Sequence, residues 1–113
     1  MIRKLVLLLY CFILLSGFSE GKASWYGGGE KLNEYTASGR RFNPNEMGCA
    51  SFRYPFGSRL LVTNLANDKA VMVTVYDRGP NKRLGREIDL YREAFRKIAD
   101  LKQGLIQVSI KEV

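Results

Sequence analysis

The chain has 113 residues, 18 basic against 11 acidic, a formal charge of +7 and no histidine. That length holds one ordinary domain. The absence of histidine excludes His-ligated zinc, the Ser-His-Asp triad and the Cys-His pair.

Arg3 and Lys4 precede an apolar run from Leu5 to Leu15, and Ser16-Gly17-Phe18-Ser19 follows. This pattern predicts a secretory signal peptide over residues 1–19, cut after Ser19; the run is short for a membrane span. An uncleaved anchor is the competing reading. Cys11 leaves with the peptide, because Tyr10 is too large to precede a lipid-attachment cysteine. The remaining domain, 20–113, has 94 residues, a charge of +5 and one cysteine, Cys49. An intrachain disulfide is then impossible, and stability must come from a packed core. A basic exported protein suits anionic wall polymers better than nucleic acid.

Ala23-Ser24-Trp25-Tyr26 reads as a short strand ending in a flexible bend at Gly27-Gly28-Gly29, which lacks the Lys-Ser/Thr of a phosphate loop. Thr36-Ala37-Ser38-Gly39 and Phe42-Asn43-Pro44-Asn45 are turns. Arg59 to Leu65 and Lys69 to Tyr76 are strands joined through Asn67-Asp68, a hairpin signal. In the second, Val71, Val73 and Val75 share one face, with Met72, Thr74 and Tyr76 on the other. Asp77-Arg78-Gly79-Pro80 follows, placing a carboxylate at a strand end, where it bonds the turn backbone or faces a substrate. Leu90, Ala94, Ile98 and Leu101 form a helical stripe over 91–101, with Asp89 as N-cap and Gly104 as stop. Leu105 to Val113 alternates as a last strand. The predicted core is Val62, Leu65, Val71, Val73, Val75, Ile88, Phe95, Ile98, Val108 and Ile110. Short strands with Gly/Pro turns and one helix indicate a small β-barrel.

Seven motifs then occur in one order: Ala23-Ser24-Trp25-Tyr26-Gly27, Thr36-Ala37-Ser38-Gly39, Phe42-Asn43, Pro55-Phe56-Gly57, Val62-Thr63-Asn64-Leu65, Asp77-Arg78-Gly79-Pro80 and Ile88-Asp89-Leu90. Together they resemble the rare lipoprotein A family, from Ala23 to about Val113. The resemblance implies an all-β, six-stranded double-psi β-barrel with one short α-helix. It also implies an endolytic lytic transglycosylase that cuts peptidoglycan between N-acetylmuramic acid and N-acetylglucosamine. The sugar's C6 hydroxyl attacks in place of water and leaves a 1,6-anhydro end. One carboxyl group serves as acid and then base, and the family's catalytic acid falls on Asp77.

Two positions depart from the family. Its Thr-Ala-Ala-His run reads Gly48-Cys49-Ala50-Ser51 here, so Ser51 stands where histidine does. Serine hydrogen-bonds but does not titrate near neutrality. Tyr91 replaces a serine after Asp89-Leu90, and tyrosine cannot cap a helix.

Cys49 is read as a small buried residue, having no base to activate it. Trp25 and Tyr26 divide between core and sugar-stacking platform, with Tyr26 the surface member. Arg78 either pairs with Asp77 or binds the anionic peptide stem. Asp77 is the catalytic candidate, and Tyr26, Thr36, Ser38, Ser51, Arg78 and Asp89 are the groove candidates. Neither metal nor cofactor is expected. Peptidoglycan strands are the expected partner of an exported monomer, periplasmic or extracellular, with no nucleic acid and no stable membrane association after cleavage. The alternative is a non-catalytic, expansin-like wall-binding or loosening module. A more distant one is an inhibitor that keeps only the fold.

Overall fold

A computed structural model describes residues 18–80 and 85–113; the expected leader, apart from Phe18 and Ser19, lies outside the described residues. Six strands form a closed barrel: β1 (Phe18–Tyr26), β2 (Gly48–Ala50), β3 (Arg59–Asn64), β4 (Ala70–Asp77), β5 (Arg86–Tyr91) and β6 (Ile106–Glu112). Their order around the barrel is β1-β5-β2-β4-β3-β6. Two pairings are parallel, β1 with β5 and β2 with β4. Closure satisfies the backbone of every strand without leaving an edge. Among the described residues no helix is long and apolar enough to cross a membrane.

The expected alternation of β4 is present: Val71, Val73 and Val75 point inward and Met72, Thr74 and Tyr76 are half-buried on the other face. Nine of the ten predicted core residues are buried. Leu65 is the exception, 44% exposed, because β3 ends at Asn64 and Leu65 enters the following turn. Asn64 is itself buried, and its Nδ2 donates to the Ile98 carbonyl at 2.8 Å. The Asn67-Asp68 turn is also as expected, with Asp68 in the left-handed region at φ 62°.

The predicted helix over 91–101 shortens to α1, Arg92–Arg96. Leu90, the first residue of the stripe, belongs to β5 instead. Ala94, Phe95 and Ile98 still reach the core. Asp89 is not a helix cap, because it lies inside β5, three residues before α1. Tyr91 takes the N-cap position with no side-chain bond, and the Glu93 amide is met by the Pro44 carbonyl at 3.1 Å. A neighbouring loop thus supplies the acceptor that the missing cap would have supplied. Gly104 does end a helical turn, the short 3₁₀ segment Leu101–Gln103, with φ 67°.

Gly48 of β2 and Tyr91 of β5 meet behind this cap position. A Cβ on Gly48 would lie 2.5 Å from Tyr91 Cε2 and 2.9 Å from Tyr76 Cδ2. The large Tyr91 ring therefore needs a glycine at position 48. Gly48→Ala should lower stability by about 1–3 kcal/mol through overpacking. In a double-mutant cycle by chemical denaturation, that cost should shrink when measured in a Tyr91→Ser background. Equal costs in both backgrounds would show the two sites to be independent.

β1 begins before the expected cleavage point. Phe18 pairs with Lys111 and Ser19 with Ile110, and the Ser19 hydroxyl lies 3.0 Å from the Tyr54 hydroxyl. A cut after Ser19 would remove these contacts. A protein starting at Phe18 should therefore be more stable than one starting at Glu20 by roughly 1 kcal/mol, the net worth of a hydrogen bond. Urea denaturation of the two forms measures it.

Candidate functional site

β2 is only three residues long, yet it sets the site. Ala50 is in register with Asp77 of β4 on one side and with Asp89 of β5 on the other. Asp89 in turn is in register with Ser24 of β1. Asp77, Ala50, Asp89 and Ser24 thus form one row across four strands. The register between β2 and β4 shifts between Cys49 and Ala50: Cys49 pairs with Val75, but Ala50 pairs with Asp77. Tyr76 is the extra residue. Strict alternation would send Asp77 inward with Val75; the bulge turns it to the face of Ala50, as bulges beside sites do. Neighbouring strands lie about 4.8 Å apart, so the two aspartate backbones are separated by roughly 9–10 Å. Only the Ala50 methyl stands between them.

A cavity of about 730 Å³ opens over this row, with Phe52, Arg78 and Arg86 on its walls beside Asp77 and Asp89. A second hollow of about 320 Å³, walled by Leu32, Tyr35 and Thr36, lies on the far side and shares Tyr26 and Asp77 with the first. Asp77 therefore sits on the saddle between two depressions.

Three donors hold the Asp77 carboxylate. The Tyr26 hydroxyl donates to Oδ2 at 3.1 Å, and the amides of Ala37 and Arg78 donate to Oδ1 at 2.9 Å each. Burial raises the Tyr26 phenol far above its ordinary range, so Tyr26 remains a donor. The loop that supplies the Ala37 amide is itself fixed by Thr36 N donating to the Arg40 carbonyl and Ser38 N to the Tyr76 carbonyl.

Asp89 is placed differently. Its Oδ1 accepts from the Ser24 hydroxyl at 3.0 Å, and the Arg86 guanidinium donates to the same Ser24 oxygen at 3.2 Å. Burial pushes the Asp89 carboxyl up to about 6; Ser24 and Arg86 oppose the rise, and the charges of Glu30 and Asp77 add to it. Arg86 Nε is buried and has no hydrogen-bond partner among the described residues.

Several expectations are corrected. The Tyr26 ring is no open platform: Phe42 stacks on it at 5.2 Å and Tyr91 meets it edge-on at 5.4 Å. Only its hydroxyl end serves the site. Ser51 is 1% exposed, and its hydroxyl accepts from the Arg53 and Tyr54 amides at 3.1 and 3.4 Å. Its one link to Asp77 is through the backbone, Ser51 N to Asp77 O at 3.1 Å. A serine with free amides two and three residues ahead caps its own turn, and that use takes the hydroxyl away from the groove.

The Arg78 guanidinium does not pair with Asp77. It donates to the Ser51 and Tyr54 carbonyls at 2.7 and 2.8 Å and lies 3.8 Å over the Phe56 ring. It fastens the 51–56 loop to the end of β4. Thr36 is buried and its hydroxyl is paired with that of exposed Ser38 at 2.9 Å, so the two support the loop around Ala37. The triple-glycine bend is not loose either, because the Glu30 carboxylate accepts from the Gly27 and Gly28 amides at 2.6 and 2.8 Å. Those bonds hold Glu30 below the usual carboxylate range, the Gly27 bond foremost.

Trp25 packs on the core and donates to the Leu101 carbonyl at 3.0 Å, and Cys49 is fully buried with its thiol pushed up by that burial. Among the described residues no group of three or more metal-ligating side chains gathers.

Ala50, Phe52, Arg86 and the Ala37 amide were not nominated from the sequence. The amide has no side-chain signature. Ala50 and Arg86 acquire meaning only through strand register.

The buried Asp89 charge has a measurable consequence. The folded-state carboxyl binds its proton at higher pH than the unfolded chain's 3.8, so ionised Asp89 destabilises the fold above about pH 6. The penalty disappears as pH falls through that window toward 4. Asp89→Asn keeps the acceptor for Ser24 and should raise stability at pH 8 by on the order of 2–3 kcal/mol. At pH 4 the two proteins should converge. Urea denaturation at both pH values tests this, and no gain at pH 8 would remove the inferred cost.

A family model described as lytic transglycolase matches residues 18–110. The "Probable endolytic peptidoglycan transglycosylase RlpA" of Aquifex aeolicus is 44% identical over 94 residues, which is 83% of this chain and 41% of that protein. The chain spans well under half the length of the curated relatives it matches. Among solved structures, "Streptomyces papain inhibitor (SPI)" superposes with a TM-score of 0.66 at 24% identity, over 85% of this chain and 94% of that one. A Clavibacter michiganensis expansin, solved as a d78n mutant in complex with cellohexaose, superposes with a TM-score of 0.65 at 24% identity. It covers 85% of this chain and 50% of the expansin. These likenesses establish the double-psi β-barrel fold.

Proposed function

The chain belongs to the lytic transglycolase family, and on that premise we propose that it is an endolytic peptidoglycan transglycosylase. It cleaves between N-acetylmuramic acid and N-acetylglucosamine to leave 1,6-anhydro ends. The observation that carries the reading is Asp77, locked by three donors on the saddle between two depressions. A glycan strand needs room on both sides of the bond that breaks, and the saddle offers it. The Asp77 carboxyl group takes the proton of the attacking C6 hydroxyl as the glycosidic bond breaks. Tyr26 and the two amides keep it from rotating, so orientation is set before the strand arrives. Arg78 acts behind it by holding the loop that carries Phe52.

The substrate lies outside the cytoplasm, and residues 1–19 fit the export signal that delivers the protein there as a monomer without lasting membrane attachment. The cut falls near the start of β1. A second reading, a wall-binding module without catalysis, draws on Ser51, whose hydroxyl is committed to its own turn and offers no titrating partner.

Incubation with purified sacculi and mass analysis of the released fragments separates the two. Anhydro-ended muropeptides are expected from the wild type. Asp77→Asn, folded as judged by its melting curve, should lower their yield by ~10²-fold or more. A wild type that binds sacculi and releases none would establish the binding module. Undiminished release by Asp77→Asn would remove Asp77 from the chemistry.

A further inference from the structure

We propose that Asp89 is the second proton-transferring group of this site, donating to the departing glycosidic oxygen while Asp77 takes the proton of the attacking hydroxyl. This rests on the transglycosylase reading of the site. Three observations carry it.

The first is placement. Asp77 and Asp89 face the same cavity from β4 and β5, with only Ala50 between them in the row. Two strand spacings put their backbones roughly 9–10 Å apart. Both side chains line the cavity, so a substrate lying in it meets a carboxyl group from each strand.

The second is the pattern of contacts. Every group that touches the Asp77 carboxylate donates to it, which is the surrounding of a proton acceptor. Asp89 has a single donor, on Oδ1, and among the described residues its Oδ2 has none. That second oxygen is where a proton resides. Ser24 reinforces the arrangement. Its oxygen accepts from Arg86, so its one proton is committed to Asp89 Oδ1. The Asp89 rotamer is thereby fixed with Oδ2 left over.

The third is electrostatic. The groups around Asp89 are Arg86 on its own strand, Ser24 and Tyr26 from β1, Glu30 from the bend after β1, Cys49 from β2 and Asp77 from β4. Burial outweighs Ser24 and Arg86 and lifts the carboxyl to about 6, with the Glu30 and Asp77 charges adding. Two carboxyl groups in unlike surroundings divide into an acid and a base.

The step balances without any outside reagent. The bond from C1 to the glycosidic oxygen breaks with its electron pair moving to that oxygen, which takes the Asp89 proton. The C6 oxygen bonds to C1 and its proton passes to Asp77. The site then holds a protonated Asp77 and an ionised Asp89. One proton transfer between them through solvent in the emptied cavity restores the start. Water is not consumed.

A leaving group that needs no protonation distinguishes an acid from a structural residue. The purified protein is assayed on glycan strands and on an N-acetylmuramic acid-terminated oligosaccharide bearing 4-nitrophenol at its reducing end. Asp89→Asn should slow strand cleavage by ~10²–10⁴-fold and abolish its fall in rate above pH 6, yet release nitrophenol within roughly tenfold of wild type. Asp77→Asn should lose both reactions. Strand cleavage by Asp89→Asn within roughly tenfold of wild type would overturn the proposal. Equal losses on both substrates would also overturn it, showing Asp89 to be structural. If the wild type yields neither anhydro product nor nitrophenol, the transglycosylase reading falls and takes this one with it.

Discussion

The rest of the site depends on the pairing of three residues, Gly48 to Ala50. β2 runs parallel to β4 and antiparallel to β5, and without it Asp77 and Asp89 would belong to strands that do not meet. Each residue of β2 does a separate task. Gly48 leaves space for the Tyr91 and Tyr76 rings, Cys49 fills the core, and Ala50 keeps the cavity floor low between two carboxyl groups. A larger side chain at position 50 would occupy the space a substrate needs. The strand is too short to be held by its own hydrogen bonds and relies on closure of the barrel around it.

Stability and function pull against each other at this end of the barrel. The core is apolar and closely enclosed, and nearly all of its members are fully buried. At the mouth the balance reverses. Asp89 carries charge in a desolvated place, and among the described residues the buried Arg86 Nε has no partner. Each costs free energy that a purely structural protein would avoid. The rest of the fold offsets them, as expected where a site retains groups that packing alone would remove.

Much of this was legible in the sequence, and the failures share one physical origin. β3, β4 and β6 alternate cleanly because one face meets the core and the other meets water, so their period is visible. β2 and β5 were missed as strands. The three residues of β2 are all buried and carry no period-2 signal, and β5 alternates only briefly before Leu90 and Tyr91 are buried side by side. Leu90, Ala94 and Ile98 mimic a helix because a strand end and a single helical turn happen to supply the right spacing. Asp77 was identifiable from its motif, but the bulge that aims it was not, since Tyr76 looks like any outward residue. The Ala37 amide, the Ser24 relay and the Ala50 floor follow from register, a property of pairs of strands and of no single segment.

The aromatic packing behind Asp77 follows from one close approach. Tyr91 packs directly against Gly48 of β2. From there it completes an aromatic cluster with Tyr26, Phe42 and Tyr76. Burial in that cluster keeps the Tyr26 phenol protonated as the donor to Asp77. The same kind of enclosure strips Asp89 of solvent and lifts its carboxyl to about 6, so that it exchanges a proton near neutral pH on the floor it shares with Asp77.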